Sequence, residues 1–197
     1  MSELLKAHIS KRIDITDEEW NEYISLFTFR QLKKKEILMK AGELCTFQVY
    51  ITKGCLRTFF TDVKDHDHAM QFGFEDWWAG DLLAFITERP AYYTVEALEE
   101  SEVLIIEKAD MMAFFNRNLK FERYFRILIQ SAYVASQQRI IATMSQSAEE
   151  RYLDLVKKYP HLEMRIAQHH IASYLGITPE ALSRIKRNII EKSRTIS

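Results

Sequence analysis

The spacing of apolar residues changes near Lys108, and this change limits the folds open to the chain. Between about Glu36 and Lys108 the sequence contains six short segments rich in β-branched and aromatic residues, separated by charged or glycine-containing turns. Repeated short strands of this kind are typical of a β-sandwich or barrel. Beyond Lys108 the apolar spacing becomes helical. The sequence therefore predicts an α+β chain with an N-terminal antiparallel β-domain and a C-terminal helical part.

Four helical segments are predicted around this β-domain. Residues 17–27 place apolar side chains at helical spacing, with Asp14 or Thr16 as the capping residue. Residues 109–117 form a short helix, which a long helix follows. Residues 148–158 form an amphipathic helix that ends before a proline. The predicted order is a β-domain, a long helix and a small basic helical domain.

The long predicted helix carries an apolar stripe. Its members are Phe121, Phe125, Leu128, Ala132 and Ala135, with Ile129, Ile140 and Met144 nearby. Two arrangements remain open for this stripe. The helix can lie on its own β-domain, or the stripe can form the seam of a coiled-coil dimer, which fits an apolar repeat of about two heptads.

The composition excludes several classes of protein. No run of residues approaches the roughly 18 apolar residues of a membrane helix, and the N-terminus does not look like a signal peptide. The two cysteines, Cys45 and Cys55, are too few for a disulfide framework or a four-thiolate iron–sulfur cluster. No nucleophile–base pair, metal-ligand spacing or P-loop is visible. We therefore expect a reduced, cytoplasmic protein that is not an enzyme, with no metal and no membrane association.

Charge is distributed unevenly along the chain. The formal net charge is −1, but six lysines and arginines follow Pro160 against only three glutamates. A basic end on an acidic body favours a polyanionic partner for that end.

The segment 166-IAQHHIASYLGITPEALSRIKRNIIE-191 carries the strongest local pattern. Gly176 suits the left-handed end of a first helix. Thr178 can cap the next helix, and Pro179 suits its first position because that residue needs no N–H donor. Two helices joined in this way form a helix-turn-helix, whose second helix enters the major groove of DNA. An αα-hairpin that binds nothing is the alternative.

The outer face of the second helix carries two kinds of side chain. Arg184 can donate two hydrogen bonds to guanine O6 and N7, and Glu180 can accept one from cytosine N4. The other residues expected at the DNA, mainly at phosphates, are Gln168, Thr178, Ser183, Lys186 and Arg187. The adjacent His169 and His170 are expected to point in different directions and to bind no metal.

At this motif the chain resembles the Crp/Fnr family of bacterial transcription regulators, and the resemblance covers nearly the whole chain. IASYLGITPEALSR follows the family pattern I-A-x-x-L-G-x-[ST]-x-E-[TS]-[LV]-S-R, departing at Ala181 and carrying the short Pro179 before the glutamate. The resemblance implies a cyclic-nucleotide-binding β-roll of jelly-roll type over residues 1–110. It also implies connecting and dimerisation helices over 111–146 and a winged-helix-like DNA-binding domain over 147–197.

The resemblance also implies partners. These are double-stranded DNA and a second copy of the chain, with RNA polymerase as a further candidate. Gly42 and Gly54 fall on the family's turn glycines. Because the sequence stops at Ser197, soon after the recognition helix, we expect the family's β-wing to be absent or very short.

The loop 80-GDLLAFITERPAYYTVEA-97 resembles the family's nucleotide cassette. In the family a glutamate takes the ribose hydroxyl and an arginine pairs with the cyclic phosphate. Ungapped alignment of Gly80 and of residues 95–97 puts Asp81 at the glutamate and Ala91 at the arginine. Removing a buried charge partner costs on the order of 3–5 kcal/mol. We therefore expect the fold to be kept and cyclic AMP binding to be lost or weak, so no cofactor is assigned.

The remaining residues assigned to the effector pocket are Leu82, Arg89, Tyr92, Tyr93, Ser136 and Gln137. The two tyrosines are expected to crowd the space that small residues leave open in the family. Arg89 could compensate for Ala91, since an extended stretch would put both on one side. Trp77 and Trp78 are either core or lid residues, or they line a pocket for a flatter, less charged ligand.

Two hypotheses of different class follow. The leading one is a homodimeric, sequence-specific DNA-binding transcription regulator of the Crp/Fnr type that does not respond to cyclic AMP in the usual way. The alternative is a sensor of a cyclic nucleotide or other small ligand that acts through a protein partner.

Overall fold

The computed structural model of the chain describes residues 2–195. The chain divides into two compact units. The first comprises Met1–Phe60 and Met70–Ala132, and the second comprises Thr61–Ala69 and Tyr133–Ser197. Within the described residues, no helix combines the length and the apolar character needed to cross a membrane.

Helices and strands account for most of the described residues. The strands are β1 (Phe27–Leu32), β2 (Ile37–Met39), β3 (Phe47–Lys53), β4 (Leu56–Thr61), β5 (Asp67–Gly73), β6 (Trp77–Ala79), β7 (Thr94–Ala97) and β8 (Ser101–Glu107). The helices are α1 (Ser2–Ser10), α2 (Asp17–Ser25), α3 (Leu82–Thr87), α4 (Lys108–Arg117), α5 (Leu119–Ser145), α6 (Ala148–Lys158), α7 (Leu162–Arg165), α8 (Gln168–Leu175) and α9 (Pro179–Thr195).

The strands form two four-stranded sheets. One has the order β1-β8-β3-β6 and the other β2-β7-β4-β5. Strand β8 runs antiparallel to both β1 and β3, and β7 runs antiparallel to both β2 and β4. Apolar side chains from both sheets, including Ile51, Val95 and Ile106, belong to one buried cluster. The predicted α+β class, with an antiparallel β-roll followed by a long helix and a helical end, is confirmed.

Several short elements were not predicted, namely α1, β1, β6, α3 and α7. The predicted helix over 17–27 is also too long, because α2 ends at Ser25 and Phe27 begins β1. Phe27 continues the helical spacing, but its backbone pairs with Ile106 of β8. Pairing with a strand far along the chain therefore overrides the local pattern. The cap of α2 is Thr16, in a reciprocal capping box with Glu19.

The beginning of α5 is anchored in the first unit by aromatic packing. Phe121 is fully buried, with its ring 4.5 Å from that of Tyr23 and 4.9 Å from that of Phe114. The prediction that Phe121 lies on a dimer seam is therefore wrong, because its ring belongs to the core of its own domain. The alternative, in which the helix lies on its own β-domain, is the correct one for this part of α5.

The next two residues of the predicted stripe are also directed at this core. Phe125 packs against Phe85 of α3 and Phe115 of α4. Leu128 packs against the same buried cluster. The first three residues of the predicted stripe thus hold α5 to the β-roll, whereas Ala132 and Ala135 are exposed.

A buried polar network connects α1, β6 and α5. Trp78 Nε1 donates to the Tyr124 hydroxyl over 2.9 Å, and that hydroxyl lies 2.7 Å from His8 Nδ1. His8 is only 6 % exposed. Burial, followed by the nearby charge of Arg12, lowers the pKa of His8 to about 4. The ring is therefore neutral at pH 7, and its tautomer sets which of Nδ1 and the Tyr124 hydroxyl donates in their hydrogen bond. Trp78, whose ring also packs on that of Tyr50, is a core-edge residue.

Substituting the two turn glycines by alanine tests how tightly the β-roll is packed. Gly42 and Gly54 have similar positive φ angles, +91° and +95°. A Cβ at Gly42 meets nothing within 4 Å, whereas a Cβ at Gly54 would lie 2.7 Å from Ser101 Cα. We expect Gly42→Ala to cost about 1–2 kcal/mol of backbone strain. Gly54→Ala should cost a further ~1–3 kcal/mol from overpacking. Urea unfolding of both variants checks this, and equal losses would contradict it.

The pKa of His8 predicts a specific acid sensitivity. Its folded value of about 4 lies below the ordinary value of 6.5, so the unfolded chain binds more protons between these two pH values. The free energy of unfolding should therefore fall as the pH drops through this window, with His8 contributing a loss of about 2 kcal/mol between pH 7 and pH 5.

The substitution His8→Asn keeps an acceptor near Nδ1 but removes the titration. Urea unfolding at pH 7 and pH 5 should show a smaller loss for this variant than for the wild type. An identical pH dependence in both proteins would show that His8 does not titrate as the structure requires.

Candidate functional site

The turn between α8 and α9 has the predicted geometry. Gly176 ends α8 with φ +69°, in the left-handed region. The Thr178 hydroxyl accepts a hydrogen bond from Ala181 N over 3.2 Å, and α9 begins at Pro179. These contacts satisfy backbone groups that the two helix ends would otherwise leave unpaired. The predicted helix-turn-helix is present.

Close packing holds the two helices of this motif together. Ala172 in α8 and Leu182 in α9 are both fully buried. Ile177 in the turn donates its N–H to the Ala172 carbonyl over 3.1 Å. A small residue at 172 is therefore needed where the turn and the second helix approach α8.

Four of the predicted DNA-contacting side chains lie together on α9. Glu180, Ser183, Arg184 and Arg187 are all exposed, and their spacing places them on one face of the helix. Hydrogen bonds from the Glu180 backbone N–H and from the Thr178 hydroxyl lower the pKa of Glu180. Glu180 is therefore ionised at neutral pH and offers only acceptor oxygens.

Lys186 is placed differently from these four residues. Its Nζ lies 2.5 Å from Glu163 Oε1 in an ion pair, and the Tyr152 hydroxyl donates to the same oxygen over 2.8 Å. Burial alone would raise the pKa of Glu163, but the hydrogen bonds from Lys186 and Tyr152 lower it overall. Lys186 thus fastens α9 to α7, and its predicted contact with a phosphate stays a prediction.

Gln168 is also engaged within the motif. Its Nε2 donates to Ser183 Oγ over 2.8 Å and to the Pro179 carbonyl over 3.2 Å. These bonds link the first residue of α8 to the first turns of α9. Contact between Gln168 and DNA stays a prediction, as does that of Ser183.

The prediction that His169 and His170 diverge is wrong. Their ring centroids lie 3.9 Å apart, with the ring planes inclined at 50°. In the part of the chain that the structure describes, no group of three or more histidine, cysteine, aspartate or glutamate side chains is arranged to hold a metal ion.

A hairpin tip, residues 61–69, belongs to the same unit as the helix-turn-helix. Ser173 Oγ donates to the Asp67 carbonyl over 2.6 Å and accepts from Ala69 N over 2.9 Å. Arg139 donates to the carbonyls of Ala69 and Tyr174, each over 3.2 Å. Sequence analysis missed these contacts. The one available signal was Arg139, a charged residue that interrupts the apolar stripe of α5.

The second half of α5 exposes an apolar stripe. Its large members are Tyr133, Val134, Ile140, Ile141 and Met144. Tyr133, Ile140 and Met144 follow the 7-residue and 4-residue spacing of a coiled-coil seam. Ile140 and Met144 belong to the stripe that the sequence predicted. The exposed stripe lies on the side of the helix opposite Ala135, so it is not centred on Ala132 and Ala135.

The cassette loop is organised around Asp81, which caps α3 and is fully buried. Asp81 Oδ1 accepts a hydrogen bond from Ala84 N over 2.9 Å. Asp81 Oδ2 accepts from Tyr92 N over 2.7 Å and from Tyr93 N over 3.2 Å. The aspartate at the position of the family's ribose-binding glutamate therefore binds the chain's own backbone.

Ala91, at the position of the family's arginine, is buried in the apolar core. Its N–H donates to the Glu43 carbonyl over 2.7 Å, and its carbonyl accepts from Gly42 N over 2.8 Å. The loop therefore pairs with the turn after β2. Arg89 is exposed and does not share the buried environment of Ala91. The proposed compensation by Arg89 is not supported.

Tyr92 does not crowd the cassette as predicted, whereas crowding by Tyr93 stays a prediction. Tyr92 is 72 % exposed and points away from the core, whereas Tyr93 is half-buried. Of the other residues assigned to the pocket, Gly80 adopts φ +141° beside the Gln48 side chain, and Leu82 is half-buried. Ser136 and Gln137 are exposed on α5 in the second unit, and their role in a pocket stays a prediction.

The segment that carries the two β-sheets matches a known domain family. Residues 29–118 match the family model described as "Cyclic nucleotide-binding domain". This range contains β1 to β8 except for the first two residues of β1, together with α3 and α4. No curated protein sequence matches the chain.

Solved structures of bacterial regulators resemble the chain over most of its length. The c-di-GMP responsive global regulator CLP of Xanthomonas campestris has a TM-score of 0.74 and 9% identity, covering 90% of this chain and 93% of its own. FixK2 from Bradyrhizobium japonicum has a TM-score of 0.73 and 13% identity, covering 85% and 86%.

A third similar structure carries the family name. It is a Eubacterium rectale protein assigned to the Crp/Fnr family of transcriptional regulators, with a TM-score of 0.72, 17% identity and coverage of 91% and 85%. At identities this low, the structural similarity establishes the fold alone. Residues 29–118 thus resemble the cyclic nucleotide-binding domain family, within a chain that has the fold of the Crp/Fnr transcription regulators.

Proposed function

We propose that the protein is a homodimeric, sequence-specific DNA-binding transcription regulator. The observation that carries this proposal is the exposed face of α9, where Glu180, Ser183, Arg184 and Arg187 lie together at the start of a capped recognition helix. On this face an arginine can donate hydrogen bonds to guanine, and an ionised glutamate can accept a hydrogen bond from cytosine. Two copies would read half-sites about one helical turn, roughly 34 Å, apart.

Dimerisation through α5 is part of this proposal. Large apolar side chains stay exposed on α5 after residue 132, and exposed apolar stripes at coiled-coil spacing mark surfaces that a partner helix covers. A second α5 supplies the matching stripe by symmetry. RNA polymerase is a further candidate partner. We also propose a cytoplasmic location, because the DNA partner would lie there.

The altered cassette supports a regulator that does not use cyclic AMP in the family's way. Asp81 is bonded to the backbone and Ala91 offers no charge for a phosphate. The Xanthomonas relative responds to c-di-GMP, so a related fold serves a different nucleotide in that protein. A small-ligand sensor that acts through a protein partner is the second candidate. It predicts no preference among DNA sequences, and the next experiment distinguishes the two.

Substituting Arg184 tests base recognition. The preferred site is first selected from random double-stranded DNA with the wild-type protein, and affinities are then measured by fluorescence anisotropy. Arg184→Ala should lose discrimination at one base position by about 10–100-fold, since a bidentate arginine–guanine pair is worth about 1–3 kcal/mol.

Arg187→Ala is the matched control. As a predicted phosphate contact, Arg187 should weaken binding to all sequences alike and reduce the salt slope by about 1. Lys186 is a poorer control because its ion pair with Glu163 makes it part of the motif's packing. Failure of the wild type to select any sequence above random DNA would overturn the proposal of sequence-specific binding.

Two charged substitutions on α5 test the dimer seam. Ile140→Asp puts a carboxylate within the exposed apolar stripe, where a partner helix would bury it unpaired. We expect the dimer to dissociate at micromolar concentration in sedimentation equilibrium. Ala135→Asp makes the same change on the opposite side of the helix, so it should leave the dimer intact. Dissociation by Ala135→Asp alone would instead support a seam through Ala132 and Ala135.

A further inference from the structure

The carboxylate of Asp81 is buried without a cation. Its side chain has no exposed surface, and among the residues that the structure describes no lysine, arginine or histidine forms an ion pair with it. Burying an ionised carboxylate is costly unless hydrogen bonds replace its water. The replacements are three backbone N–H groups, of Ala84, Tyr92 and Tyr93, at 2.9, 2.7 and 3.2 Å.

Two of these donors come from adjacent residues. The N–H groups of Tyr92 and Tyr93 both point at Asp81 Oδ2. Successive backbone N–H groups directed at one point form a concave site that suits an anion. The loop before β7 therefore has the chemistry of an anion site, and the oxygen of a side chain eleven residues earlier fills it.

We propose that the cassette is an anion site whose occupant is the chain's own Asp81 carboxylate. The internal carboxylate acts as a tethered ligand, which keeps the loop in one conformation with no external anion bound. An incoming phosphate would find both N–H groups already used and a negative charge in its place. Asp81 thus excludes anionic ligands, while Ala91 removes the cation that would attract them.

One nearby polar group is not satisfied in this way. Gln48 is 5 % exposed, its side chain lies against Gly80, and its Nε2 has no hydrogen-bond partner in the described structure. A neutral amide cannot balance the charge of a phosphate, so this donor suits a water molecule. It does not change the assignment of the two loop N–H groups to Asp81.

The proposal predicts that removing the carboxylate opens a site for a small anion. Asp81→Ala should lower Tm by on the order of 10 °C, because it leaves three buried N–H donors without an acceptor. Formate supplies the missing carboxylate, so raising formate from 0 to 100 mM at constant ionic strength should restore about 3–5 °C. The wild-type Tm in the same series, with chloride as the replaced anion, is the control for general salt effects.

Rescue of Asp81→Ala by formate without a matching rise in the wild type supports the internal anion. Equal responses of the two proteins to formate, or an unchanged Tm in Asp81→Ala, would overturn it.

A second measurement needs no variant and covers the case in which Asp81→Ala fails to fold. Amide hydrogen exchange of the wild type, followed by NMR, should show the N–H groups of Tyr92 and Tyr93 slowed at least 100-fold relative to unstructured amides. Exchange at the unstructured rate would show that these groups do not donate to Asp81, and would reject the proposal.

A third measurement tests the exclusion of ligands. Calorimetric titration of the wild type with cyclic AMP, cyclic GMP or inorganic phosphate should show no binding up to 1 mM, about the weakest affinity such a titration resolves. Micromolar binding of any of these would refute a filled site. None of these experiments involves DNA, so a negative result would not affect the proposed regulator function. Failure to select a DNA site would likewise not affect the proposed internal anion.

Discussion

The packing of Phe121 against Tyr23 and Phe114 anchors the helices of the first unit to one another. This one contact gives α2, α4 and α5 a common core beneath the β-roll. Aromatic rings bury more apolar area than other side chains, so a few of them suffice to fix a helix of 27 residues at one end. The remainder of α5 exposes apolar residues. The first half of the helix therefore packs on its own domain, and in our proposal the second half forms the dimer contact.

Buried polar groups restrict the β-roll to one arrangement of its loops and strands, because each group needs a hydrogen-bond partner away from water. The Asp81 carboxylate takes three backbone donors. Arg57 and Glu96, directly opposite each other on β4 and β7, form an ion pair of 2.6 Å with little exposure. A cassette that uses its polar groups internally keeps the shape of a nucleotide site while changing what can enter it.

The helix-turn-helix separates residues that hold the motif from residues that face outward. Gln168 and Lys186 look like surface polar residues in the sequence, yet each bonds a neighbouring element. Glu180, Arg184 and Arg187 remain exposed on the outer face of α9. Base recognition in our proposal therefore depends on fewer side chains than the sequence suggested, and these sit on a rigid, capped helix.

Local chemistry allowed the sequence alone to determine the order of β-domain, long helix and helix-turn-helix, and the turn at Gly176, Thr178 and Pro179. Glycine, cap and proline act within a few residues, so no distant contact is needed to predict them. Tertiary structure decided the rest. Phe27 lies in a strand because its backbone pairs with β8. Phe121 is buried because its ring packs against Tyr23 and Phe114. The partner of Asp81 likewise depended on backbone donors eleven and twelve residues away, which only the folded loop brings within hydrogen-bonding distance.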